Sequence, residues 1–198
     1  MIPRSTIAVL AVVATICIGG LIAPHRSALR LTAEGGPVEL ASAVVLVVAL
    51  LTAIVQLASR FSLAWLSGAA LMLWALLREL DFQKRFTYRS IESIPYYVSP
   101  RAPWQEKMVV ILIMIPFAVA GLHLLRLFCR HFRRELQKRE PWTIHLLAAF
   151  ALGIVGVASE KLLKLHTVEE PCELGAELLG LLMLLDLQKK RVEPVIQS

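Results

Sequence analysis

The chain has 198 residues, 57% of them hydrophobic and only 18% charged, with a mean hydropathy of +0.67. Soluble domains are roughly half apolar, and here the charges fall in bunches between long apolar runs, which excludes an ordinary soluble domain. The net charge of +6 sits at the ends of those runs and in short connections, so the basic partner is the lipid bilayer and not nucleic acid.

Six apolar runs follow one another, each close to the roughly 20 residues needed to cross a hydrocarbon core. The first, 5–23, begins after Met-Ile-Pro-Arg and lacks a small-x-small cleavage site followed by a polar chain, so a retained first span is expected. The second and third, 38–58 and 62–80, are separated only by Ser59-Arg60-Phe61 and should form a tight helical hairpin. A longer segment, 81–107, then mixes Lys84, Arg85, Arg89 and Arg101 with Phe82, Phe86, Tyr88, Tyr96, Tyr97 and Trp104. Basic and aromatic residues together mark a bilayer interface, and a sharper reading makes this segment a lid whose Arg85, Arg89 and Arg101 meet an anionic headgroup or substrate.

The fourth run, 108–128, leads into the basic connection 129–141, and the fifth and sixth, 142–163 and 167–187, form a second hairpin. The expected fold is therefore an all-α membrane bundle of six spans, with 1–198 as a single transmembrane domain. A shift of 105 residues lays the first three runs on the last three and brings Asp81-Phe82-Gln83-Lys84 onto Asp186-Leu187-Gln188-Lys189. Halves of three spans face opposite ways in a bilayer, so the expectation is a 3+3 inverted repeat, against duplication without transport or chance as the plain alternatives. Arg126, Arg130, Arg133, Arg134, Lys138 and Arg139 crowd one short connection, which favours a bacterial inner membrane with both termini cytoplasmic.

With that orientation, only Glu135, Glu140, Asp186 and Glu193 of the 15 acids lie inside. The sixth span opens Thr167-Val168-Glu169-Glu170-Pro171-Cys172-Glu173; Thr167 with Glu170 reads as a capping box and explains the first acids. Capping does not explain Glu173 and Glu177. At 100° per residue these share an arc with Ala176 and Gly180, while Asp186 points the other way. Glu160 shares a face with Gly156, Gly153 and Ala149, and Glu79 with Ala75, Met72 and Gly68. Small residues mark close helix packing in membranes, so Glu79, Glu160, Glu173 and Glu177 are expected to converge, with Glu170, Asp81 and His166 near the mouth.

Such a cluster either pairs with Arg78, Lys161 and Lys164 or forms a proton or cation site, since packed carboxylates share protons or bind metal. The five histidines form no HExxH or HxxxH pair. A divalent metal would have to be held by a set such as His166, Glu170 and Glu173. Cys17, Cys129 and Cys172 form no CxxC pair and read as small hydrophobes. No glycine loop for nucleotides and no nucleophile motif occurs. Three functions compete: a small proton- or cation-handling transporter or channel-like protein, a membrane-embedded enzyme on a lipid-type substrate, and a non-catalytic subunit that assembles with a second copy or another membrane protein.

Overall fold

The computed structural model describes residues 2–22, 36–80, 82, 87, 94–138, 140–159 and 166–196. Seven helices make up these residues: α1 (Arg4–Ile22), α2 (Pro37–Ser59), α3 (Leu63–Glu79), α4 (Ile94–Val98), α5 (Trp104–Gln137), α6 (Pro141–Ala158) and α7 (His166–Ile196). There is no strand among them. The described part of each apolar run falls on a helix, and α2, residues Trp104–Arg130 of α5, and α6 are long and apolar enough to cross a membrane.

The local reasons for these boundaries are visible in the residues. Pro37 and Pro141 begin α2 and α6, where a fixed φ suits the helix and the missing N–H would have had no acceptor. Ser62 caps α3: its backbone is extended at φ −150 and its hydroxyl accepts from the Ala64 N–H at 3.2 Å. At the end of α6, Ser159 turns its hydroxyl back onto the Gly156 carbonyl at 2.7 Å.

The chain divides into two compact units, Met1–Thr52 with His131–Ser198, and Ala53–Arg130. In the second, Leu71 lies against Gly121 and the Trp74 and Phe117 rings stand 5.1 Å apart, so α3 and α5 run antiparallel. Tyr96, Ala102 and Val110 form a small core flanked by Trp74, Tyr97 and Met114. The Tyr96 hydroxyl donates to Glu106 Oε1 at 2.7 Å, and Lys107 Nζ donates to the Ser99 carbonyl at 2.7 Å. The part of the 81–107 segment from Ile94 onward is thus a packed cap continuous with α5. Along α5, Met108, Val109, Ile111, Leu112, Ile113, Ile115, Val119, Leu122 and Leu125 are exposed, an apolar face suited to lipid.

In the first unit α7 is the central element. No residue from Thr167 to Gln188 is exposed, whereas α1, α2 and α6 each turn large apolar side chains outward. Its direction follows from its contacts. Asp186 meets His145 near the start of α6, and Gly156 near the end of α6 lies against Cys172. Val13 of α1 and Leu152 of α6 both press on Gly175. Therefore α7 is antiparallel to α1 and α6, which are parallel to each other. On α2 the buried residues Val38, Ser42, Leu46 and Ala49 recur at steps of four, four and three, one helical face.

Candidate functional site

The acids singled out on α7 do lie inside the first unit. The Ser42 hydroxyl, on the buried face of α2, donates to Glu177 Oε2. Glu173, one turn earlier and half-buried, has its Cγ 3.9 Å from where a Cβ on Gly156 would stand. Gly156 therefore does what its place on the small-residue stripe of α6 implied, letting α7 approach closely. The other stripe glycines do not: a Cβ on Gly68, Gly153 or Gly180 would meet no heavy atom within 4 Å among the described residues.

Only part of the expected convergence falls within what is described. Glu79 ends α3 in the second unit, half-buried. Asp81 and Glu160 lie outside the described residues, as do Arg85 and Arg89. Arg101 is exposed, and its backbone N–H donates to Ser99 Oγ at 3.2 Å in the turn ahead of α5. Glu169 lies in the first turn of α7 and Glu170 follows it, both half-buried; the helix begins at His166, so Thr167 stands inside it and not at its N-cap, which removes the expected Thr167–Glu170 capping box. His166 opens that helix, but its side chain lies outside the described residues; among those that are described, no three His, Cys, Asp or Glu side chains gather as metal ligands.

A second polar group was not foreseen. His145, with 2% of its surface exposed, stands between two helices. Its Nε2 lies 3.0 Å from Ser5 Oγ on α1, and its Nδ1 lies 3.0 Å from Asp186 Oδ2 on α7. The imidazole–carboxylate contact lies at an ion-pair distance. Two further buried hydroxyls, Thr6 on α1 and Thr143 on α6, have no hydrogen-bond partner among the described residues. Thus the starts of α1 and α6 and the later part of α7 share one buried polar layer.

Helical-wheel reasoning set Asp186 apart because it lies about 180° from Glu177, nine residues later on the helix. The wheel is right, and neighbours stand on both sides of the helix: Glu177 turns to α2 while Asp186 turns to α6. The signal that could have found the second group was the pairing of His145 with Asp186 on adjacent hairpin helices, both interrupting apolar spans.

Sequence reasoning also missed a juxtaposition of cysteines. With Val13 against Gly175, the antiparallel register of α1 on α7 sets Cys17 opposite Cys172. Both are free, and Cys172 is only 2% exposed.

Chemically, then, the first unit offers a carboxylate held by a hydroxyl toward one end of α7 and a hydroxyl–imidazole–carboxylate chain toward the other. Set beside known protein families, curated proteins and solved structures, the chain matches none of them.

Proposed function

We propose that this chain is an inner-membrane protein of six spans that handles protons or small cations through acids carried on α7. The observation that carries the reading is the arrangement on that single helix. Glu177 and Asp186 interrupt it at two levels, each engaged by a side chain from another helix: Ser42 with Glu177, and His145, itself touching Ser5, with Asp186. Ionisable groups at membrane depth cost on the order of 3 kcal/mol or more and usually face a cavity or a functional path. The nine-residue step from Glu177 to Asp186 corresponds to about 13 Å of helix rise. Leu178, Leu179, Leu181, Leu182, Met183, Leu184 and Leu185 fill it, so two polar stations flank an apolar barrier. That is the layout of a gated path and not of an open pore.

The finer topology belongs to the same reading. Helix starts in the two halves correspond at offsets of 100 (Arg4 to Trp104), 104 (Pro37 to Pro141) and 103 residues (Leu63 to His166), which supports a 3+3 inverted repeat. Both termini are cytoplasmic in this proposal and the Glu173–Glu177 end of α7 faces outward.

The test is reconstitution into liposomes holding a pH-sensitive dye, with a potassium gradient and ionophore supplying the driving force. Flux should fall at least tenfold in Glu177→Gln and in Asp186→Asn. Absence of flux in the unmodified protein, for protons and for common cations, overturns the proposal. If both variants carry normal flux but melt at lower temperature, the acids are packing groups of a non-catalytic subunit.

One observation favours a second reading, a membrane-embedded enzyme acting on a lipid-type ester. The contacts of Ser5 with His145 Nε2, and of His145 Nδ1 with Asp186, follow the nucleophile–base–orienter order of serine acyl transfer. A fluorophosphonate probe should then label Ser5 in the wild-type protein and not in a His145→Gln variant; an unlabelled Ser5 refutes this reading.

A further inference from the structure

The three cysteines behave differently in the fold. Cys129 is exposed on α5. Cys17 and Cys172 are 155 positions apart in sequence, yet the antiparallel register of α1 on α7 sets them opposite each other. That contact is unusually close. One turn before Cys17, Val13 presses on Gly175, one turn after Cys172; a Cβ on Gly175 would fall on Val13 Cγ2 and lie 2.8 Å from Leu152 Cδ1. A backbone approach of this kind is what short interhelical cross-links need, because a disulfide requires its Cα atoms within about 7 Å. The two thiols also differ in access: Cys17 is partly exposed, whereas Cys172 is buried beside Gly156.

We propose that Cys17 and Cys172 are a redox pair, a dithiol that closes to an interhelical disulfide between α1 and α7. Cys17 lies five residues from the end of α1 at Ile22, about 7 Å along the axis, so it is reached from the apolar zone. The fitting oxidant is a membrane-soluble quinone. Both S–H bonds are lost and one S–S bond forms; two electrons and two protons pass to the quinone, which leaves as the quinol. Cys17, the accessible thiol, meets the oxidant, and Cys172 resolves the bond. Because Cys172 adjoins Glu173, closure ties α1 to the stretch of α7 that carries Glu173 and Glu177. The proposal stands apart from any transport activity.

The experiment uses the full chain in lipid nanodiscs, first reduced, then exposed in parallel to decylubiquinone and to diamide. After quenching with N-ethylmaleimide, digestion without reductant and mass spectrometry read the linked peptides. A Cys17–Cys172 peptide should form with both oxidants, exceed any Cys129-containing link at least tenfold, and vanish on adding dithiothreitol. It should persist in Cys129→Ser and be absent from Cys17→Ser. The wild-type chain alone decides the matter, so a variant that fails to fold does not blunt the test. Formation with diamide only overturns the quinone as acceptor. Failure with both oxidants, with maleimide found on Cys17 and Cys172, overturns the pair.

Discussion

Gly175 offers the sharpest test of the packing, because two glycines on one helix should respond oppositely to the same change. Gly175 and Gly180 both lie within α7, so Ala has the same intrinsic helical advantage at either, about 1 kcal/mol. At Gly180 the new methyl meets no heavy atom within 4 Å among the described residues, and the advantage should survive as neutral behaviour or a gain of up to about 1 kcal/mol. At Gly175 the methyl falls on Val13 Cγ2 and within 2.8 Å of Leu152 Cδ1. Leu152 can swing its chain end away, but β-branched Val13 is stiff at χ1, so α1 itself has to move. Overpacking of this sort costs about 1–3 kcal/mol, which leaves Gly175→Ala between neutral and destabilised by roughly 2 kcal/mol after the helix term. The two variants should therefore differ by about 2 kcal/mol in unfolding by sodium dodecyl sulfate titration of the purified protein in mixed micelles. Val13→Ala removes the colliding methyl, so the double variant Val13→Ala/Gly175→Ala should recover part of the loss, read as a favourable coupling in a double-mutant cycle. Equal stability of the two glycine variants, or a strictly additive double variant, refutes the three-helix contact at Gly175.

Other outcomes follow from single contacts. Replacing buried His145 with Ala leaves Asp186 and Ser5 without their shared partner and should cost about 2–4 kcal/mol, with most of the coupling to Asp186→Asn lost in a double-mutant cycle. Ser42→Ala removes the hydroxyl that donates to Glu177 and should lower stability by about 1–2 kcal/mol, whereas Ser42→Thr, which keeps a donor, should lose less; thermal melting with a thiol-reactive dye on unaffected cysteines compares them. Tyr96→Phe deletes the bond to Glu106 and should cost about 1 kcal/mol, while Tyr96→Ala empties a fully buried site and should cost about 3–5 kcal/mol, both read by limited proteolysis around residues 94–103.

How much of this was legible in the sequence depends on the kind of information each feature carries. Apolar runs translate directly into helices, because a backbone in lipid must satisfy its own hydrogen bonds; the described part of each run is helical, and three of these helices are long and apolar enough to cross a membrane. The inward aspect of Glu177 and the close approach at Gly156 were also legible from periodicity. Periodicity has no access to which neighbour stands on each side. Gly153 and Gly156 belong to one stripe, but only Gly156 meets α7, since the steric need for a glycine is set by where the partner crosses. The wheel set Asp186 opposite Glu177 without saying what stands there, and what stands there is His145 of α6. Ser5–His145–Asp186 and Cys17–Cys172 each join residues at least 140 positions apart, or bridge three helices, and no local pattern announces either.

The enclosure of α7 has a consequence for how the protein is made. Of the helices in its unit, α7 emerges from the ribosome after α1, α2 and α6, and it is the one loaded with acids at its start. Its entry into lipid by hydrophobicity alone is poor, since each carboxylate weighs against partition on insertion scales. What the fold offers it is the groove lined by its neighbours, where Ser42 and His145 engage Glu177 and Asp186. The last helix of the unit is thus received on a scaffold formed by the earlier ones, and a chain stalled before residue 166 would leave their polar side chains uncovered.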